Sequence, residues 1–142
     1  MQNNRSGWKV PAVNYPEYYS KHKEELDAAY FDCMKKGKLI LQEDVEKFEK
    51  NLAEFVGSKY AVAVGCGTDA IFLALKAYGI GGGDEVITPS HSYIASIEAI
   101  YNVGAKPVLF DINENLEMDV GQIEPLINAK TKAILSVCMA GR

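Results

Sequence analysis

The chain has 142 residues, 15 Lys+Arg against 19 Asp+Glu, and a formal net charge of −4. A composition of 48% hydrophobic and 24% charged residues excludes a disordered chain and fits one globular domain. The acidic balance argues against a dedicated nucleic-acid binder, which needs a basic face to displace counterions from phosphates.

Residues 1–16 read as an extended arm, because Pro11 and Pro16 disfavour helix at the residue before each. A helix is predicted over 17–36 from Tyr18, Lys21, Leu26, Ala29, Tyr30 and Cys33, stopped by Gly37. A second, amphipathic helix covers 43–56, with a stripe of Val45, Phe48, Leu52, Phe55 and Val56 and an end at Gly57. The short apolar run Tyr60-Ala61-Val62-Ala63-Val64 then reads as a buried strand. Residues 68–78 read as a helix closed by Gly79, and Gly81-Gly82-Gly83-Asp84 as a turn. Strands are predicted over 85–88, stopped by Pro89, over 106–110 and over 132–137. Helices are predicted over 92–102 and over 119–128, the latter starting at Asp119 with Pro125 as a potential break. Alternating strand and helix imply a mostly parallel sheet with helices packed on it.

Cys33, Cys66 and Cys138 are far apart and form no Cys-x-x-Cys pair, and the chain has two histidines. Neither a structural zinc site nor a disulfide framework is expected, and the cysteine usage suits a reducing compartment. Residues 1–9 lack the apolar stretch of a signal peptide, and the best apolar run, 70–75, is too short to span a bilayer. The expectation is a soluble cytoplasmic chain without a membrane partner.

Gly65-Cys66-Gly67-Thr68-Asp69-Ala70 lies between a predicted strand and a predicted helix. Glycines let the backbone approach a ligand, and the free N–H groups and dipole of a helix start favour an anion. One reading is a phosphate site built from the Gly67, Thr68 and Asp69 amides and the Thr68 hydroxyl, with the Asp69 carboxylate pointing away. The other is a plain strand-to-helix turn capped by Thr68. The residues also fit G-x-G-x-x-A, but a dinucleotide site needs an acid at the end of the second strand. Asp84 and Glu85 stand at its beginning, so the nicotinamide reading is demoted.

The segment Thr88-Pro89-Ser90-His91-Ser92-Tyr93-Ile94-Ala95-Ser96 also follows a strand and opens a helix. Tyr93 suits stacking on a flat ring, or else serves as core or a wedge between helices. His91 and Ser92 are adjacent in a turn with no orienting acid, which argues against a nucleophile–base pair.

At these residues the chain resembles the DegT family of nucleotide-sugar aminotransferases. Gly67-Thr68-Asp69-Ala70 is similar to the family's S/N-G-T-D/S-A phosphate turn. The run from Gly81 to Ser90 resembles its G-x-G-D-E-V-I-T-P-S strand, and Tyr93-Ile94-Ala95-Ser96 the segment whose aromatic stacks on the cofactor. Residues 104–112 and 131–134 match two later strands, residues 45–49 an upstream helix, and the resemblance spans about residues 10–142.

The resemblance implies an α/β fold: a three-layer, mostly parallel sheet, here an incomplete large domain of the aspartate-aminotransferase architecture (fold type I). Residues 1–57 would be an N-terminal arm and helices, and residues 58–142 part of the domain that binds pyridoxal 5'-phosphate (PLP). The implied reaction transfers an amino group, usually from glutamate, to a keto group of a nucleotide-linked hexose, in a homodimer. Gly67, Thr68 and Asp69 would hold the cofactor phosphate, Tyr93 would stack on its ring, and Ser96 would lie near it. Alternatives are a dehydratase of the same family, using the cofactor without the lysine, and a nucleotide-binding module using the turn at 65–70.

Gln42 stands where many members have glycine, and Cys138 and Met139 where they usually have histidine and leucine. Cys138 reads as a small buried residue. The family's pyridine-holding aspartate and cofactor-linking lysine have no counterpart in these 142 residues. The expectation is therefore an N-terminal fragment without catalytic residues of its own, inactive alone.

Overall fold

The computed structural model describes residues 13–37 and 39–141, so most of the expected arm lies outside the described residues. They form two compact units that divide between Ala63 and Val64.

In the first unit, α1 spans Tyr15–Lys36 and α2 spans Glu43–Val56. α1 begins two residues before its predicted start, because proline is tolerated in a first turn whose amides have no helical partner. Asn14 caps it: Oδ1 accepts the Glu17 N–H at 3.3 Å, and Nδ2 donates to Glu17 Oε2 at 2.8 Å. Both helices stop at the predicted glycines, Gly37 and Gly57, whose φ of +64° and +72° is the left-handed cap that a side chain resists. Gln42 is the N-cap of α2 at φ −103°, a conformation that asks for no glycine. Of the α2 stripe, Val45 is half-buried and Phe48, Phe55 and Val56 are exposed; Ala53 is the helix's buried residue.

Residues 60–64 are not the buried strand that the sequence suggests. The run is unpaired, and Tyr60 and Val62 are exposed. A strand exists only through its ladder, and the described strands pair among themselves without this run. The Ala63 N–H instead donates to Glu49 Oε1 on α2 at 2.7 Å.

The second unit contains α3 (Gly67–Ala77), β1 (Glu85–Pro89), α4 (Ile94–Asn102), β2 (Lys106–Phe110) and β3 (Thr131–Ile134). The strands form a parallel sheet in the order β2-β1-β3, with Glu85 opposite Lys106 on one side and Thr131 on the other. β1 is buried at every position, as a central parallel strand must be, which explains its unbroken Val86-Ile87 run. Val86 faces α3 and α4 in a core of Leu75, Ile80, Ala99, Ile100 and Ala105. Among the described residues no helix is long and apolar enough to cross a membrane.

Two elements are shorter than their patterns suggest. Residues 119–128 form two 3₁₀ turns, Val120–Gln122 and Glu124–Leu126, not an α-helix. Asp119 Oδ1 takes the Gly121 N–H at 3.1 Å, and Pro125 has no N–H to continue an α-ladder. β3 ends at Ile134 although the apolar run continues to Val137. The Leu135 N–H still donates to the Ile87 carbonyl at 2.8 Å, but the Val137 N–H turns to Met118 Sδ at 3.4 Å. Beyond that turn Cys138 is exposed rather than buried.

Glu85 ties the N-terminal edge of the sheet together. Its carboxylate accepts from Asn128 Nδ2 at 2.8 Å and pairs with Lys106 Nζ at 3.3 Å. The Asn128 hydrogen bond, and after it Lys106, outweigh burial and hold the carboxyl below the usual glutamate range. A depressed folded-state pKa means stability that is present above the unfolded value of about 4.3 and is lost as pH falls through the folded value. The urea midpoint should therefore drop on acidification below about pH 4, and Glu85→Gln should flatten that limb. An unchanged acid limb in Glu85→Gln would remove Glu85 from the account.

Candidate functional site

The N-terminus of α3 begins at Gly67 after Cys66, which is extended (φ −162°) and offers no side-chain cap. The first intrahelical bond is Ala70 N–H to the Cys66 carbonyl at 3.0 Å. The amides of Gly67, Thr68 and Asp69 thus have no protein partner among the described residues, as expected of an uncapped helix start. Thr68 does not cap the helix; the capping position belongs to Cys66. A Cβ at Gly67 would meet nothing within 4 Å, so the space beside this residue is open.

At Gly65 the contact is with a side chain. A Cβ there would lie 2.6 Å from Asp69 Oδ2. The Asp69 carboxylate folds back over Gly65, at the positive end of the helix dipole, and makes no hydrogen bond to the first-turn amides.

The second segment lies where β1 runs into α4. Tyr93 is the N-cap of α4 and is 76% exposed, so it is neither core nor a wedge between helices. Ser96 is buried one turn further on, and its Oγ lies 2.7 Å from Ser92 Oγ. Ser92 hydrogen-bonds to Ser96 and to the Tyr93 carbonyl, not to His91. α3 and α4 pack together in the same unit, but no hydrogen bond or ring contact joins residues 65–69 to residues 91–96 among the described residues.

Two polar atoms here were missed by sequence reasoning. Thr88 Oγ1, on a fully buried residue, and His91 Nδ1 have no hydrogen-bond partner. A buried polar atom without a partner costs about 1–3 kcal/mol. The available signal was a hydroxyl residue inside the apolar strand and a histidine just beyond it.

A parallel-sheet α/β unit with unbonded amides at one helix start and an open aromatic at another has the makings of a site for a flat, anionic molecule. The chain belongs to the DegT/DnrJ/EryC1/StrS aminotransferase family, whose pattern matches residues 20–142. It is 40% identical over 134 residues to a UDP-2-acetamido-2-deoxy-3-oxo-D-glucuronate aminotransferase of Pseudomonas aeruginosa, covering 94% of this chain and 37% of that protein. It is 39% identical over the same length to a dTDP-3-amino-3,6-dideoxy-alpha-D-galactopyranose transaminase of Aneurinibacillus thermoaerophilus, with 94% and 37% coverage. Among solved structures, DesV of S. venezuelae superposes with a TM-score of 0.84 at 38% identity, over 88% of this chain and 34% of DesV. NtdA of Bacillus subtilis, with bound cofactor PMP, superposes with a TM-score of 0.83 at 33% identity, over 94% of this chain and 31% of NtdA. The chain spans just over a third of the length of these two curated relatives.

Proposed function

We propose that the chain is the cofactor-phosphate and ring-stacking part of a PLP-dependent enzyme that transfers an amino group, from glutamate, to the keto group of a nucleotide-linked sugar. The observation that carries this reading is the set of three unbonded amides at Gly67, Thr68 and Asp69. They suit a phosphate, and the exposed Tyr93 ring suits a planar pyridine. The names of the relatives support the nucleotide-sugar substrate. The whole enzyme would be a cytoplasmic homodimer, with residues 58–142 contributing to its large domain.

When bound, PLP supplies an electron sink for the carbon that carries the amino group. The residues of this chain would do the holding. Gly67, Thr68 and Asp69 would donate backbone hydrogens to the phosphate, Thr68 would add its hydroxyl, Tyr93 would stack on the ring, and Ser96 would offer a hydroxyl near it. Asp69 acts through its amide, while its carboxylate stays against Gly65.

The test is a titration with PLP and with phosphate-free pyridoxal, followed by visible absorbance and circular dichroism. PLP should bind at least about tenfold tighter, the worth of one or two charge-assisted hydrogen bonds. Tyr93→Ala should weaken PLP by about tenfold through lost stacking. Equal binding of the two aldehydes would overturn the phosphate assignment.

A further inference from the structure

Ser92 is not itself assigned to the cofactor, yet its hydroxyl joins both residues assigned on this segment. Its Oγ lies 2.7 Å from Ser96 Oγ and 3.1 Å from the Tyr93 carbonyl oxygen. The same carbonyl accepts the Ser96 N–H at 3.1 Å, so three bonds close a small ring around the first turn of α4. A side-chain cap is absent from this helix start, because its N-cap residue is the tyrosine. Ser92 stands one residue before it and provides the restraint that a cap would provide.

The hydrogen count gives this ring a direction. A serine hydroxyl has one hydrogen and two acceptor sites. If the Ser92 hydrogen goes to the Tyr93 carbonyl, Ser96 must spend its own on Ser92. If it goes to Ser96, the bond to the Tyr93 carbonyl is lost, because a carbonyl oxygen has no hydrogen to give, so the closed ring requires the first arrangement. Ser96 is 6% exposed, so its hydroxyl has few other partners to choose from.

We propose that Ser92 is a positioning residue: by donating its one hydrogen to the Tyr93 carbonyl and accepting that of Ser96, it fixes the backbone from which the Tyr93 ring projects and holds the Ser96 hydroxyl in place. This rests on the reading of Tyr93 and Ser96 as cofactor-facing residues and assigns to Ser92 no contact with the cofactor.

The experiment titrates the full chain and its Ser92→Ala, Ser92→Thr and Tyr93→Ala variants with PLP, following the induced visible circular dichroism. That band reports how the bound ring is oriented in its chiral surroundings, which a loss of helix stability alone would not alter at saturation. Ser92→Ala should weaken PLP about five- to tenfold and reduce the band per bound molecule. Ser92→Thr, which keeps the hydroxyl, should restore both. If Tyr93→Ala loses binding while Ser92→Ala keeps the wild-type affinity and band, the positioning role is overturned and the cofactor reading stands. If Ser92→Ala weakens binding but leaves the saturated band intact, or if Ser92→Thr fails to rescue, the role is likewise overturned. If the wild-type chain shows no preference for PLP over pyridoxal, both readings fall together.

Discussion

Ile100→Ala should destabilise the second unit by about 2–5 kcal/mol, the range for emptying a buried isoleucine site. Ile100 is fully buried in the cluster of Leu75, Val86, Ala99 and Ala105. That cluster is where α3 and α4 meet the central strand, and both helix starts discussed above hang from it. A small domain has about 5–15 kcal/mol of stability in all, so the loss would be a large share of it. Urea unfolding followed by far-ultraviolet circular dichroism measures it directly. A change below about 1 kcal/mol, typical of a surface position, would mean that Ile100 does not anchor this core.

Gly67→Asp should act in opposite directions on stability and on binding. A Cβ at Gly67 meets nothing within 4 Å, so aspartate fits. In the first turn of α3 its charge favours the helix dipole, by about 0.3–1 kcal/mol. The same charge beside a bound phosphate is repulsive. At a separation of about 5 Å and an effective dielectric near 40 this is about 1.7 kcal/mol per unit charge, or more than tenfold in affinity. Gly67→Ala is the control, expected to keep both properties near the wild type. Thermal unfolding and PLP titration on the three proteins separate the effects. If Gly67→Asp binds PLP as tightly as Gly67→Ala, the phosphate does not sit at this helix start.

The parts of the fold that were legible are those decided within a few residues. Gly37 and Gly57 end helices through caps that involve only local backbone, whereas the Asn14 cap lies inside the segment that reads as an arm. β2 covers the predicted 106–110, and β1 is the apolar run between the glycine turn and Ser90. The start of α3 was open in the sequence between a free helix start and a turn capped by Thr68, and the structure places Cys66, which offers no side-chain cap, at the capping position. Departures occur where a partner elsewhere in the chain is needed. The alternation that reads as β3 to residue 137 stops where Met118 takes the Val137 amide. At 119–128 the pattern suggests an α-helix, but the local chemistry of Asp119 and Pro125 yields two 3₁₀ turns instead.

The sequence by itself determined the kind of protein this is: an α/β chain of an aminotransferase family, recognisable from ordered motifs whose spacing survives without any coordinate. Caps, turns and strand runs are short-range, so the residues carry them on their face. The tertiary structure alone decided which runs pair, and it left Tyr60-Ala61-Val62-Ala63-Val64 outside the sheet. It also turned Asp69 back over Gly65, left Thr88 Oγ1 without a partner, and closed Ser92 onto Ser96 and Tyr93. The physical reason is the same in each case. A ladder needs a second strand, and a side chain's direction is set by the atoms that its fold brings beside it.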